Sequence, residues 1–377
     1  QRLVGDVVDE TLEELVLRTR YGVLVLRKDA IEAVEGRPGQ TAPAPAVEQA
    51  PPVDLARVRA LRLKARRQAQ LGKRDEALAT YAELLELDPD DATAHLELGA
   101  LRARLGQRAE AVASVRRAVL GGFADFERLR RDGDLAALRD EPAFQQLLAQ
   151  RRGLLAIAAR RAPARLEREL RARGARGDYR AVADAERGLV YVHGLGDAPF
   201  ATVRAEVEAL VTASRRLLFT SPPDGPLLVV LLAEQDRALM SDGASYDAAS
   251  HTLTLGLLPF GSLRRALAAR RELARALHAA DQQSRQQRHA PWLVEGLADL
   301  LGAAALDGDR LVPGPSAPTE VAKLPSWSGL LALGADAFPR TPAARLGARL
   351  LLDHLWRRDL LAGFYEQHAK AAGEPDA

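Results

Sequence analysis

The segment LGKRDEALATYAELLELDPDD, Leu71 to Asp91, returns as LGQRAEAVASVRRAVLGGFAD, Leu105 to Asp125, displaced by 34 residues. A period of that length constrains the fold more than any other feature of the chain. Each unit is a pair of helices that cannot bury its apolar face alone, so successive units must stack. The recurring positions are those that stacking needs. Ala65 and Gly99 are small where paired helices approach, Gly72 and Gly106 break the turn between them, and Ala77 and Ala111 stand at the next close contact. Pro89 closes the first unit, and Phe123 occupies that place in the second.

This pattern resembles the tetratricopeptide repeat, and FERLRRDGDLAALRDEPAFQQLL, from Phe126, resembles the degenerate cap that ends such arrays. The resemblance implies helical hairpins over 55–150, with a concave groove that takes a protein or peptide partner. Two repeats and a cap are close to the minimum for an independent array, so the region is expected to lean on a neighbour.

A second constellation lies downstream. RELAR, Arg271 to Arg275, is followed by WLVEGLAD, Trp292 to Asp299. The pair resembles the active site of a gluzincin (peptidase MA-like) domain, in which HExxH is followed by a W-L-x-E-G helix. In HExxH, two histidines at i and i+4 share one helix face and grip zinc, and the glutamate activates water. The resemblance places the third zinc ligand at Glu295 and the general base at Glu272, and covers the chain from about Gly188 onward. SYDAASHTLTL, Ser245 to Leu255, is similar to the hairpin that leads into the active-site helix. Both ligand positions, however, hold arginine. Guanidinium stays protonated and offers only donors, so it cannot coordinate a cation. Arg271, Glu272, Arg275 and Glu295 are therefore read as degenerate active-site positions, with no catalytic residue, metal or cofactor. Either a guanidinium bridges Glu295 in place of zinc, or both arginines point to solvent and Glu295 merely decorates a helix.

His278 falls in one helical stripe with Arg264, Arg271 and Arg275. As a lone imidazole beside two guanidiniums it makes a poor metal site with Glu272 and Glu295. His95, His193, His251, His289, His354 and His368 are scattered singly. No Cys nucleophile, G-x-S-x-G elbow, Walker A string or G-x-G-x-x-G after a strand is present, and GLGD at Gly194 is too short to cradle a phosphate.

The remaining segments complete an α+β multidomain, mostly helical plan. Residues 1–37 read as a small β-barrel-like module, with strands at Leu3–Val8, Glu14–Arg20 and Gly22–Leu26 and a closing segment at Lys28–Glu35. The chain opens within a strand, so a trimmed or processed piece is expected, with any targeting segment out of view. Residues 38–54 form a Pro-rich linker. The stretch 151–180 carries ten Arg against three acidic residues. Its basic helix offers Arg160, Arg161, Arg165 and Arg168 to an anionic partner, or is simply a solvated connector balanced elsewhere, which its lack of interleaved aromatics favours. Residues 181–377 form the gluzincin-like domain, opening with a strand at Leu189–Val192, a helix at Ala201–Leu218 and a strand at Leu227–Leu232.

Lys+Arg 53 against Asp+Glu 51 leaves a net charge of +2, which argues against nucleic acid. With Cys 0, disulfides and thiolate metal sites are excluded. No run of about 18 apolar residues is long enough to span a membrane. The expected function is a non-catalytic scaffold that binds protein through its repeats and carries a degenerate peptidase domain. The alternatives are a metallopeptidase with an atypical metal site, or a structural component of a bacterial envelope assembly. The three-part layout resembles secreted or envelope-associated bacterial proteins. Partner identity and oligomeric state are not legible.

Overall fold

The 34-residue period becomes two helical hairpins in the computed structural model, which describes residues 6–10, 14–19, 22–27, 54–240, 243–256, 263–315, 326–333 and 337–372. The chain divides into two compact units, Gln1–Pro51 and Pro52–Ala377. The first is an antiparallel sheet of β1 (Asp6–Glu10), β2 (Glu14–Thr19) and β3 (Gly22–Arg27), paired in that order. Of the Leu3–Val8 of the sequence reading, Leu3–Gly5 lie outside the described residues, and the strand runs on to Glu10, which sits opposite Leu15 across the hairpin after a register slip between Val7 and Asp9. The closing segment at Lys28–Glu35 and the prolines of the linker lie outside the described residues.

In the second unit, α1 (Leu55–Gln70) and α2 (Arg74–Leu87) form one hairpin, and α3 (Ala92–Arg104) and α4 (Arg108–Leu120) the next. Aspartates start both leading helices: Asp54 accepts from the N–H groups of Ala56 and Arg57, and Asp91 from that of Ala94. Gly72 and Gly106 both adopt φ of +74°, a left-handed turn that admits glycine at no steric cost. Ala65, Ala77 and Ala111 are fully buried at the crossings. Ala94, Leu98 and Leu101 of α3 pack into the first hairpin's core, whereas one period earlier α1 has Ala60, Lys64 and Arg67, all exposed.

At its other end the array is closed by α5 (Phe126–Arg131), a 3₁₀ turn at Gly133–Leu138 and α6 (Pro142–Ala149). Their Phe126, Leu129, Leu135, Leu138 and Phe144 are fully buried, in the same core as Leu154 and Leu155 of the next helix. The repeats do lean on a neighbour, and it is α7 (Arg151–Ala172).

A mixed five-stranded sheet follows, comprising β4 (Arg180–Asp184), β5 (Leu189–His193), β6 (Leu227–Leu231), β7 (Ala244–Asp247) and β8 (Thr252–Leu255), in the order β4-β5-β6-β8-β7. β5, β6 and β8 run parallel, and antiparallel β4 and β7 take the two edges. The strings LVYVH and LLVVL are nearly all apolar because both faces of the central strands are covered. Leu166 and Leu170 of α7 pack with Val192, Leu228 and Val230 on one face. On the other, α8 (Asp197–Leu217) and α9 (Leu263–Arg285) pack with Tyr191, Val229, Leu231 and Leu253.

Two features here depart from the sequence reading. The basic helix ends at Ala172 and does not reach residue 180, since Gly174 turns the chain at φ +92° and Arg180 opens β4. Nor is α7 a solvated connector, because one of its faces forms a layer on the sheet.

Beyond α9 lie α10 (Pro291–Gly302), a two-stranded ribbon of β9 (Ala305–Asp307) and β10 (Arg310–Val312), and the helices α11 (Trp327–Leu331), α12 (Pro342–Arg357) and α13 (Leu361–Ala372). One residue fastens the repeats to this half. Ala124, just after α4, donates its N–H to the carbonyl of Ala249 at 2.6 Å and accepts at its own carbonyl from Gln283 Nε2 of α9 at 2.7 Å.

Candidate functional site

Arg271 and Arg275 leave α9 one turn apart on the same face, with Glu272 beside them. Opposite stands α10, which has Pro291 in its first turn, where the missing N–H costs nothing. Its closing turn can approach α9 because Gly302 has no side chain: a Cβ there would meet the Cα of Arg271 at 3.1 Å. This close packing brings Glu295 over the two arginines.

Glu295 is 8% exposed and receives both guanidiniums. Arg271 donates to it at 2.7 Å, and Arg275 also donates to it while holding Glu272 at 3.0 Å. Arg271 Nε lies 2.6 Å from Asp299 Oδ1, one turn further along α10. Arg345 of α12 grips the same Asp299 with paired contacts of 2.7 and 3.0 Å. Three guanidiniums, of Arg271, Arg275 and Arg345, thus close on three carboxylates, of Glu272, Glu295 and Asp299. The network is neutral, and paired donors fit planar carboxylates well.

Chemically, this arrangement holds its parts in place through ion pairs. The peptidase resemblance implies zinc, and the residues do not fit it. The ligand positions carry permanent cations, and both of them donate to Oε2 of Glu295. Among the described residues, no three histidine, aspartate or glutamate groups converge so as to hold a metal ion.

His278 belongs to different company. Its ring is buried and stacks on Phe219 at 5.4 Å, and its Nε2 meets His289 Nδ1 at 2.8 Å. Tyr365 and His368 of α13 border the pair, and Tyr365 donates to the buried Asp281, which also pairs with Arg285. The side chain of Arg264 lies outside the described residues.

Burial pushes His278 well below its ordinary range and His289 down to about 4, so both are neutral in the fold. The unfolded chain takes up these protons once the pH drops below about 6.5, whereas the folded chain takes up that of His289 only near 4 and holds His278 neutral well below its ordinary range. Stability should therefore fall as the pH drops from about 6.5 towards 4, by about 1.4 kcal/mol per pH unit for each histidine still neutral in the fold. Urea unfolding at pH 7.5 and pH 5 checks this, and an unchanged midpoint would refute it.

The four arginines of α7 do not form one surface. Arg165 is buried, donates to the carbonyl of Gly121 and lies 3.4 Å from Glu169, while Arg168 pairs with Asp90. Both therefore tie α7 to the repeats. Arg160 and Arg161 are exposed. A cavity of about 440 Å³ lies where α1 and the start of α3 meet α7 and the β7–β8 hairpin, and Arg59, Arg62, Asp91, Leu166 and Thr254 are among its lining. The repeats share this recess with the chain's own α7.

Residues 66–106 match the TPR repeat family. The tetratricopeptide match begins inside α1, spans α2 and ends just past α3, and such repeats point to protein–protein interaction. No curated protein and no solved structure matches the chain. Nor is any helix among the described residues long and apolar enough to cross a membrane. Two contributors to the cluster escape sequence reasoning. Asp299 carries a signal, as it sits four residues after Glu295 on one helix face, whereas Arg345 comes from a distant helix with no local cue.

Proposed function

We propose that this chain is a non-catalytic, protein-binding scaffold in which tetratricopeptide repeats are fused to a degenerate zinc-peptidase domain. One observation carries the reading: Arg271 and Arg275, at the places of the two zinc-binding histidines, both converge on Glu295, at the place of the third ligand. A permanent guanidinium charge does there what a metal cation would do for the carboxylate, without supplying a Lewis acid or activating water. The hairpin of β7 and β8 ahead of α9, and α9 beside α10, support the same ancestry.

Protein purified without chelator and dialysed should contain far less than one zinc per chain and should cleave no peptide library. Stoichiometric zinc that survives dialysis, together with metal-dependent cleavage, would overturn the reading. The partner-binding role rests on the repeats.

A further inference from the structure

Beside the neutral cluster opens a cleft of about 710 Å³, walled by Leu267 and Ala268 of α9, Ala303 after α10, and Pro342 and Leu346 of α12. Arg271, Glu272, Asp299, Arg345 and Arg349 bring the charge to its lining. Two of these arginines are committed, because Arg271 and Arg345 hold Asp299 from two sides. Arg349 differs. It donates to the carbonyl of Pro315 at 3.2 Å, and among the described residues no carboxylate pairs with it. The cluster is balanced three against three, so among the described residues Arg349 is the surplus positive charge of this half-apolar cleft.

We propose that this cleft binds the free C-terminal carboxylate of a polypeptide whose last residue is apolar, with Arg349 as the anchor. The guanidinium fork matches a carboxylate in paired geometry. Leu267, Ala268 and Leu346 supply a surface for one apolar side chain, and a cleft of this volume suits a short peptide end. Asp299 is taken up by Arg345 and Arg271, but Glu272, hydrogen-bonded by Arg275 at 3.0 Å, keeps acceptor capacity for an amide N–H that precedes the terminus. A fatty acyl tail would leave that acceptor facing hydrocarbon, at a desolvation cost that a peptide avoids. The inference rests on the scaffold reading in that the cleft holds a peptide end and does not cut it.

The test uses the full chain and acetyl-Ala-Ala-Leu with a free carboxylate, its C-terminal amide, and octanoate, each titrated by calorimetry at low salt. The free acid should bind at least about tenfold more tightly than the amide, the usual worth of a charge-assisted pair. Arg349→Gln should reduce the acid to the level of the amide and leave the amide unchanged. Arg349→Lys, which keeps the charge and loses the fork, should fall between them. This second variant keeps the test valid if the first folds poorly. Equal binding of acid and amide, no binding of either, or wild-type affinity in both variants would overturn the anchor. Octanoate binding in place of the peptide would overturn the polypeptide occupant. Release of free leucine would instead overturn the scaffold reading while leaving the anchor standing, so the two failures are distinct.

Discussion

Glu295→Ala should destabilise the fold by about 3 kcal/mol, within the range for breaking a buried pair from one side. The reason lies in the charge count. Removing one carboxylate leaves three guanidiniums facing only Glu272 and Asp299, at a site where Glu295 itself was 8% exposed. Glu206→Ala provides the control. Glu206 pairs with Arg270, but both side chains are 26% exposed, so its loss should cost about 1 kcal/mol or less. Thermal or urea melts of the two variants side by side decide the matter. Equal losses would mean that the cluster is no more than a surface ion-pair array.

Arg271→His combined with Arg275→His should turn the salt-bridged cluster into a zinc site of about one ion per chain. Two imidazoles at i and i+4 would then stand on one face of α9, facing Glu295. At a hundredfold excess of zinc over its dissociation constant, the metal should stabilise the variant by about 2.7 kcal/mol. Wild-type protein should show no such response. A folded double variant that ignores zinc would exclude the peptidase-like geometry, whatever the ion pairs contribute.

The parts legible in the sequence are those whose information is local. The repeat was readable because small residues and turn glycines recur at fixed spacing, and Gly72 and Gly106 adopt the same left-handed turn. β5 and β6 were readable as apolar runs. β4 was not, because RAVAD is a short edge strand with only Asp184 buried, and the arginines around it gave the text of a helix. Within the candidate site, the spacing of Arg271, Arg275 and Glu295 could be read along two helices. The roles of Arg345 and Arg349 depend on where α12 lies, and nothing near residues 345–349 encodes that. The burial of Arg165 was hidden for a similar reason: one arginine among ten is singled out only by the Gly121 carbonyl that it reaches.

The double fastening of Ala124 has a mechanical consequence. Its N–H holds the hairpin turn and its carbonyl holds Gln283, which sits two turns past Arg275 on α9. A pull on the repeats therefore loads the helix that carries Arg271 and Arg275, as well as α7, which Arg165 and Arg168 also tie to the repeats. A fragment cut away after Gln150 would lose that anchorage along with Leu154 and Leu155 from its core. Force applied at the repeats thus reaches the second half by two routes, through α9 and through α7.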